Sequence, residues 1–367
     1  MHSDALRGTP LGLLCLCLSV DEQNNDDLLR RLTAPDMNWP QLLHTAGNHL
    51  VTPTLAYALQ RRQILDQLDP EVRDYLEGIQ SLNLIRNETL RSELLSIARE
   101  LNNIGITPVL IKGAIALLPE QYPGATHRIM GDLDIVVPDE RLDEAHVLLS
   151  SMGYGPEPDA QRWQTAAEKR SGAHIPPMQH RSLPVSVELH RRMLSSPVDD
   201  LALGKGCELQ PIVLPDGIIV SIPDPASRLV HSFVHSQISH QLGIRRLINL
   251  RHLHEFACLA NHYRVDIAQE AISSRLQPRR RPEFAEYCAI AEACLGAPVP
   301  NGLLRSPAER RAMRSIERAM TSTTWRKAFS IWCSLVILPR RLARFGLKIW
   351  EMPGYLPVRF RRFMEGQ

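Results

Sequence analysis

A short run beginning at Asp132 constrains the fold of this chain more than any other segment. The run 132–137 (Asp-Leu-Asp-Ile-Val-Val) is rich in β-branched residues, which predicts a strand. Side chains alternate between the two faces of a strand, so Asp132 and Asp134 share one face while the apolar residues enter a core. Two adjacent carboxylates repel each other unless a cation lies between them, and Mg²⁺ prefers carboxylates together with substrate phosphates. The run therefore predicts a metal-assisted phosphate site.

The composition is that of an ordinary soluble protein with more than one domain. The chain has 367 residues, of which 44% are hydrophobic and 22% charged, and its net charge of +2 does not indicate a nucleic-acid-binding protein. Seven cysteines without a CxxC pair are typical of a reduced, cytoplasmic protein. The apolar run 11–20 is followed at once by acidic residues, which favours a packed helix over a secretory signal. No apolar run is long enough to predict a transmembrane segment.

Four regions follow from the pattern of apolar residues. Residues 1–105 are predicted to be an N-terminal helical region, with a long helix from Pro70 to Asn103. Residues 106–222 form the predicted core, with strands over 107–111, 132–137, 185–190 and 218–222. In the same region we expect short helices over 114–118 and 161–170, a helix over 139–152 and a loop over 195–217. Residues 223–300 are predicted to be helical with a solvated break at 279–282, and residues 301–367 form a basic, aromatic helical tail.

Three elements of the core region carry the chemistry that we expect. Lys112 and Gly113 end a buried strand, and such a turn lets backbone N–H groups and a lysine approach a phosphate. Asp132 and Asp134 begin the next strand, and Glu188 lies in the middle of a third strand. A third carboxylate beside the aspartate pair completes a two-metal arrangement that stabilises the attacking and leaving oxygens of an in-line displacement.

This order of motifs resembles the bacterial nucleotidyltransferase family 5 proteins, which are distant members of the DNA polymerase β-like superfamily. The resemblance covers roughly residues 28–265, including the segment 39–49, Lys112-Gly113, Arg128, the run 132–137, the strand 187–191 and the helix with His231 and His235. It implies an α/β (α+β) fold, in which a polymerase β-like core with a small mixed sheet is flanked by helical regions. The chain departs from the superfamily pattern at its turn, which is Lys112-Gly113-Ala114 without the usual Gly-Ser.

The resemblance implies that a nucleoside monophosphate moves from an NTP such as ATP to an acceptor hydroxyl, with release of pyrophosphate. Mg²⁺ or Mn²⁺ is bound by Asp132, Asp134 and Glu188 in this interpretation. The phosphates are bound by Lys112, Gly113 and Arg128, and His190 lies near the metal. The acceptor is a small molecule, peptide or protein that the sequence does not identify.

Other interpretations of the same residues stay open at this point. Glu188 can form a structural ion pair with Arg128 or Arg191, and Arg128 can neutralise the carboxylates instead of binding phosphate. His174 and His180 can each reach the site, and the pair His231 and His235 has a spacing that suits zinc but also suits packing.

The alternative functions are a nucleotide-binding or sensing protein with reduced turnover and an Asp-x-Asp glycosyltransferase. The glycosyltransferase requires a doubly wound region before the motif. The tail from Arg326 to Gln367 has nine basic and two acidic residues with interleaved aromatic side chains. We expect it to pack on the rest of the chain, to contact a membrane surface, or to bind a partner.

Overall fold

The computed structural model describes residues 8–23, 25–118, 121, 127–156, 174–194, 207–239, 248–263, 275–299 and 324. All of these except Thr324 belong to one compact unit, Met1–Glu317, and Arg318–Gln367 form a second. The predicted helix over 161–170 and the basic segment 326–363 lie outside the described residues. No helix in the described ranges has the length and apolar character needed to cross a membrane.

The region before the sheet is helical, as predicted. Its α-helices are α1 (Pro10–Cys17), α2 (Asn25–Leu32), α3 (Trp39–Asn48), α4 (Thr52–Arg61) and α5 (Pro70–Asn103). Pro70 occupies the first turn of α5, and the Asp69 side chain accepts a hydrogen bond from the Glu71 backbone N–H, which caps the helix at the predicted residue. Helix α1 is packed, because its residues Leu14, Cys15 and Cys17 are buried.

The core is a mixed seven-stranded sheet in the order β3-β4-β5-β2-β1-β7-β6. Its strands are β1 (Val109–Leu110), β2 (Leu133–Val136), β3 (Tyr154–Pro156), β4 (Met178–His180), β5 (Ser186–His190), β6 (Leu209–Val213) and β7 (Ile219–Pro223). β2 pairs with β1 antiparallel and with β5 parallel, so β2 and β5 lie side by side in the middle of the sheet. The predicted α/β (α+β) architecture is confirmed.

The sheet is larger than predicted. Strand β6 lies inside the predicted loop 195–217 and contains Pro211, and β3 and β4 were not predicted at all. β6 is an edge strand with mostly exposed side chains, so no alternating pattern marks it, and an edge position tolerates proline. β3 and β4 have three residues each, which is too short for a recognisable period.

Helices cover the sheet and complete the unit. Helix α6 (Leu142–Ser151) and the apolar face of α5 pack with the strands into one buried cluster that includes Leu94, Ile97, Leu133 and Val187. After the sheet come α7 (Pro225–Phe233), a π-helical segment (Val234–Ser239), α8 (Leu250–Tyr263) and α9 (Arg281–Leu295).

The predicted solvated break at 279–282 is instead a helix start. Residues Pro278–Arg280 form a 3-10 turn that leads into α9, and the proline in the first turn of α9 suits that position because its missing N–H has no helical partner there. The six cysteines in the described ranges are free thiols, and all but Cys207 are buried.

A candidate metal and phosphate site

Three potential metal ligands meet where β2 and β5 run side by side. The register pairs Asp134 with Glu188 and Val136 with His190, so Glu188 and His190 lie on the same face of β5 as Asp134 on β2. One donor atom from each of Asp134, Glu188 and His190 lies within 4.8 Å of the other two. The parallel pairing of two strands that are about fifty residues apart in sequence creates this group.

The imidazole of His190 connects the two carboxylates. Its Nε2 atom lies 2.9 Å from Asp134 Oδ1 and 3.3 Å from Glu188 Oε2. Burial lowers the pKa of His190, but the hydrogen bonds to both carboxylates outweigh burial and raise it. Burial raises the pKa of Asp134, but Lys112 and His190 outweigh burial and hold it well below its usual range.

Lys112 places a positive charge on the same carboxylates. Its Nζ atom lies 2.5 Å from Asp134 Oδ1 and 3.8 Å from Glu188 Oε2. Burial lowers the pKa of Lys112, but Asp134 and Glu188 outweigh burial and raise it, so the side chain is an ammonium. Lys112 also adopts a left-handed backbone conformation (φ 52°) at the start of the 3-10 helix Lys112–Leu117. That conformation costs a non-glycine residue roughly 1 kcal/mol or more.

The turn therefore differs from its expected form. The left-handed residue is Lys112, whereas Gly113 is required for its lack of a side chain. A Cβ atom at Gly113 would lie 3.1 Å from Arg128 Nε and 3.1 Å from Met130 Sδ. The sequence predicted the position of this turn, but close packing beneath it explains the glycine.

Asp132 lines the cleft that also contains Asp134, Glu188 and His190, but it does not belong to the group formed by the donor atoms of those three residues. It lies one residue before β2 and is half-buried, and the group of potential ligands found in the described residues does not include it. Burial, followed by the charges of Asp134 and Glu188, raises the pKa of Asp132 to about 6. An ionised Asp132 is therefore unfavourable in this environment without a compensating cation.

Arg128 is buried and lines the cleft, but it does not neutralise the carboxylates of the strands. It forms an ion pair with Glu255 of α8. The alternative pairing of Glu188 with Arg128 or Arg191 is not found, because Glu188 contacts Lys112 and His190, and Arg191 lies 3.5 Å from Asp139.

The long helix α5 fixes the segment that leads into β2. The side chains of Asn83 and Asn87 donate to the Arg128 carbonyl oxygen at 3.3 and 2.9 Å, and Arg86 Nε donates to the Met130 carbonyl oxygen at 2.9 Å. Our sequence interpretation missed these positioning residues. A signal existed, because the two buried asparagines interrupt the apolar stripe of α5 at a spacing of four, where a leucine would be ordinary.

The cleft has a volume of about 370 Å³. Residues His235, Arg251 and His252 of the C-terminal helical region also line it. Arg251 and Glu255 were not identified from the sequence, because nothing in a surface-like helix pattern marks a side chain that faces a distant sheet.

The other histidines divide between cleft and core. The ring of His174 lies 5.0 Å from that of His190 and lines the cleft, whereas His180 packs against Tyr154 at 5.0 Å. The rings of His231 and His235 are 6.1 Å apart. His231 is buried, and burial lowers its pKa to about 3, so its place in the core fits the packing interpretation.

The donor set of two carboxylates and one imidazole fits a divalent cation. Carboxylates suit Mg²⁺ and Mn²⁺, while an imidazole ligand suits transition metals better than Mg²⁺. The region of the chain between α3 and α9 thus combines an α+β core, a buried Asp-Glu-His group and the basic residues Lys112, Arg128 and Arg251 in one cleft, which together define a candidate phosphate-handling enzyme.

Comparison with known proteins places the chain in a family. Residues 35–296 match a family described as an uncharacterised nucleotidyltransferase, and the chain belongs to that family. The matched range includes the sheet, the Asp-Glu-His group and α9, and so it extends beyond the limit of residue 265 expected from the motifs. A search of curated proteins found no match.

Proposed function

We propose that this chain transfers a nucleoside monophosphate from an NTP to an acceptor hydroxyl and releases pyrophosphate. The observation that carries the proposal is the group of Asp134, Glu188 and His190, whose donor atoms lie within 4.8 Å of one another beside Lys112. Membership of a nucleotidyltransferase family supports the reaction class.

Asp134, Glu188 and His190 would hold the divalent ion. When bound, such an ion supplies Lewis-acid chemistry at the α-phosphate and lowers the pKa of the acceptor hydroxyl. The imidazole of His190 favours Mn²⁺ over Mg²⁺ as that ion. Asp132 lines the same cleft and is our candidate for an additional carboxylate ligand, because an added positive charge would relieve its repulsion by Asp134 and Glu188.

Phosphate binding falls to the side chains around the turn. Lys112 would exchange Asp134 for a phosphate oxygen once a metal ion compensates the carboxylate charge. Arg128 lines the cleft with a buried Nε atom that has no hydrogen-bond partner among the described residues, and Gly113 leaves room beside it. These three residues would hold the phosphates while the acceptor approaches.

The transfer is a single displacement. The acceptor oxygen forms a bond to the α-phosphorus as the bond from that phosphorus to the bridging oxygen breaks. The acceptor proton passes to water, and pyrophosphate leaves with the electron pair. Lys112 opposes the negative charge that spreads over the phosphate oxygens in this step.

A second candidate function is nucleotide sensing without turnover. It is favoured by the short contact between Lys112 and Asp134, because an ammonium that stays on the carboxylates replaces a metal ion with a permanent charge. The glycosyltransferase alternative is not favoured, because it requires a doubly wound sheet before the motif, and the described residues before Val109 contain helices and no such sheet.

Incubation with each α-³²P-labelled NTP in Mn²⁺ or Mg²⁺, with pools of sugars, peptides and proteins as acceptors, tests the proposal. We expect label in an acceptor and release of pyrophosphate, and both should disappear in Glu188→Gln. Asp74→Asn, which changes an exposed carboxylate on α5, is the matched control and should behave as wild type. Tight nucleotide binding without pyrophosphate release in either metal would favour sensing, and no nucleotide binding would contradict both functions.

A further inference from the structure

Arg128 and Arg251 both line the cleft, and both lie close enough to the carboxylate of Glu255 to interact with it electrostatically. Arg251 and Glu255 are four residues apart on α8, a spacing at which a helical ion pair can form. Glu255 instead pairs with Arg128, which is far away in sequence. The charge of Arg128 is thus compensated, and Arg251 makes no ion pair with any carboxylate in the described ranges.

The hydrogen bonds of Arg251 are also incomplete. Its Nη1 atom donates to the Ile129 carbonyl oxygen at a long 3.4 Å, and its buried Nε atom has no partner among the described residues. A guanidinium carries five N–H donors, so most of its capacity is unused here. Burial, followed by repulsion from Arg128, lowers the pKa of Arg251. The environment therefore disfavours the charged form of this guanidinium, and a nearby anion would stabilise it.

The position of Arg251 suits an anion in the cleft. It is the second residue of α8, where the positive end of the helix dipole adds to its own charge. Its backbone N–H is fixed by Asn249 Oδ1 at 3.0 Å, so the side chain extends from an anchored turn. Arg251 lines the same cleft as Asp134 and Glu188 but forms no ion pair with them, which leaves the space between them for a ligand.

Building on the proposed nucleotidyl transfer, we propose that Arg251 binds the β- and γ-phosphates of the nucleotide and makes the site selective for triphosphates. The carboxylate group and Lys112 mark the side of the cleft where the α-phosphate would react. Arg251 lines the cleft from helix α8 instead of from the strands, and the pyrophosphate portion would lie beside it. A guanidinium fork binds phosphate oxygens in pairs, which a lysine cannot do.

Calorimetry with Mn²⁺ and non-hydrolysable NTP, NDP and NMP tests the assignment in wild type, Arg251→Gln and Arg251→Lys. We expect Arg251→Gln to weaken triphosphate binding roughly 10- to 100-fold, the range for lost hydrogen bonds to a charged group, and to leave monophosphate binding unchanged. Arg251→Lys should be intermediate. Binding of Mn²⁺ alone should stay within about twofold of wild type, which reports an intact carboxylate group.

The matched control is Arg99→Gln, which removes an exposed arginine of α5 whose contact is an exposed Asp216. It should bind all three nucleotides as wild type does. Equal triphosphate affinity in wild type and Arg251→Gln would overturn the assignment, as would an equal loss of NTP and NMP binding. These outcomes leave the proposed function standing, whereas a wild-type chain that binds no nucleotide would defeat the proposed function itself.

Discussion

Lys112 Nζ lies 2.5 Å from Asp134 Oδ1, so a lysine neutralises the most buried carboxylate among the described residues. Lys112 lies two residues after β1, and Asp134 is the second residue of β2, which pairs antiparallel with β1. A lysine and a divalent ion bound at the same oxygen would repel each other strongly, so metal binding and the Lys112–Asp134 contact oppose each other.

Replacement of Lys112 by Met should therefore strengthen binding of Mn²⁺ in the absence of nucleotide. We expect an increase of about tenfold, equivalent to about 1.4 kcal/mol, because the ion no longer has to displace an ammonium. Affinity for the nucleotide should fall in the same variant. Titration of free Mn²⁺ by electron paramagnetic resonance measures the first effect, and Lys112→Arg, which keeps the charge, serves as the control. Weaker Mn²⁺ binding in Lys112→Met would contradict competition between the two cations.

Replacement of Asp134 by Asn should destabilise the protein in EDTA. The change leaves Lys112 and His190 buried without the carboxylate that pairs with both, and breaking a buried pair costs roughly 3–5 kcal/mol. Glu188→Gln should cost clearly less, because the Glu188 side chain is 18% exposed, whereas that of Asp134 is 4% exposed. Urea unfolding of both variants measures the difference, and equal destabilisation would show that the ion pairs do not stabilise this part of the fold.

Replacement of Asp132 by Asn should have the opposite effect. The pKa of Asp132 is about 6 in the folded protein and 3.8 as the reference for the unfolded chain. Between these two pH values the folded protein keeps the Asp132 carboxyl protonated, whereas the unfolded chain has lost that proton. The free energy of unfolding therefore falls as the pH rises from about 4 to 6, and this loss of stability remains above pH 6. Asp132→Asn should remove it and stabilise the metal-free protein at pH 7.5 by on the order of 1–3 kcal/mol after allowance for solvent screening.

The check for Asp132 is urea unfolding in EDTA at pH 4, 5, 6 and 7.5. The gain from Asp132→Asn should be absent at pH 4 and complete at pH 7.5, while Asp74→Asn, at an exposed position, should show no such profile. Added Mn²⁺ should reduce or reverse the gain if Asp132 contributes to metal binding. A gain that does not depend on pH would refute the repulsion among the carboxylates.

Replacement of Gly113 by Ala should destabilise the protein by about 1 kcal/mol. The new methyl group would press on Arg128 Nε and the side chain of Met130, each 3.1 Å away, and tight packing resists such shifts. Gly78→Ala in α5 is the matched control, because a Cβ atom there meets nothing within 4 Å. That variant should gain roughly 0.5–1 kcal/mol from the better helix propensity of alanine. Thermal unfolding of the pair should shift in opposite directions, and a stabilised Gly113→Ala would rule out the packing explanation.

The sequence by itself was enough to propose which residues carry the chemistry. Lys112, Gly113, the pair Asp132 and Asp134, and Glu188 were all identified from local pattern, because a strand period of two and a strand-turn-helix junction are short-range properties. The long helix from Pro70 to Asn103 was also predicted to the residue, since its proline and its acidic cap are local signals.

Only the tertiary structure decided how these residues are paired. The sequence predicted Asp132, Asp134 and Glu188 as metal ligands with His190 nearby, whereas the parallel register of β2 and β5 groups Asp134, Glu188 and His190 and leaves Asp132 outside that group. The sequence offered Arg128 as a phosphate ligand or a neutralising charge, whereas in the fold Arg128 pairs with Glu255, and Arg251 has no ion pair in the described ranges. Strand register and the docking of α8 against the segment that leads into β2 are set by burial of apolar faces far apart in the chain, and a local pattern contains no information on either.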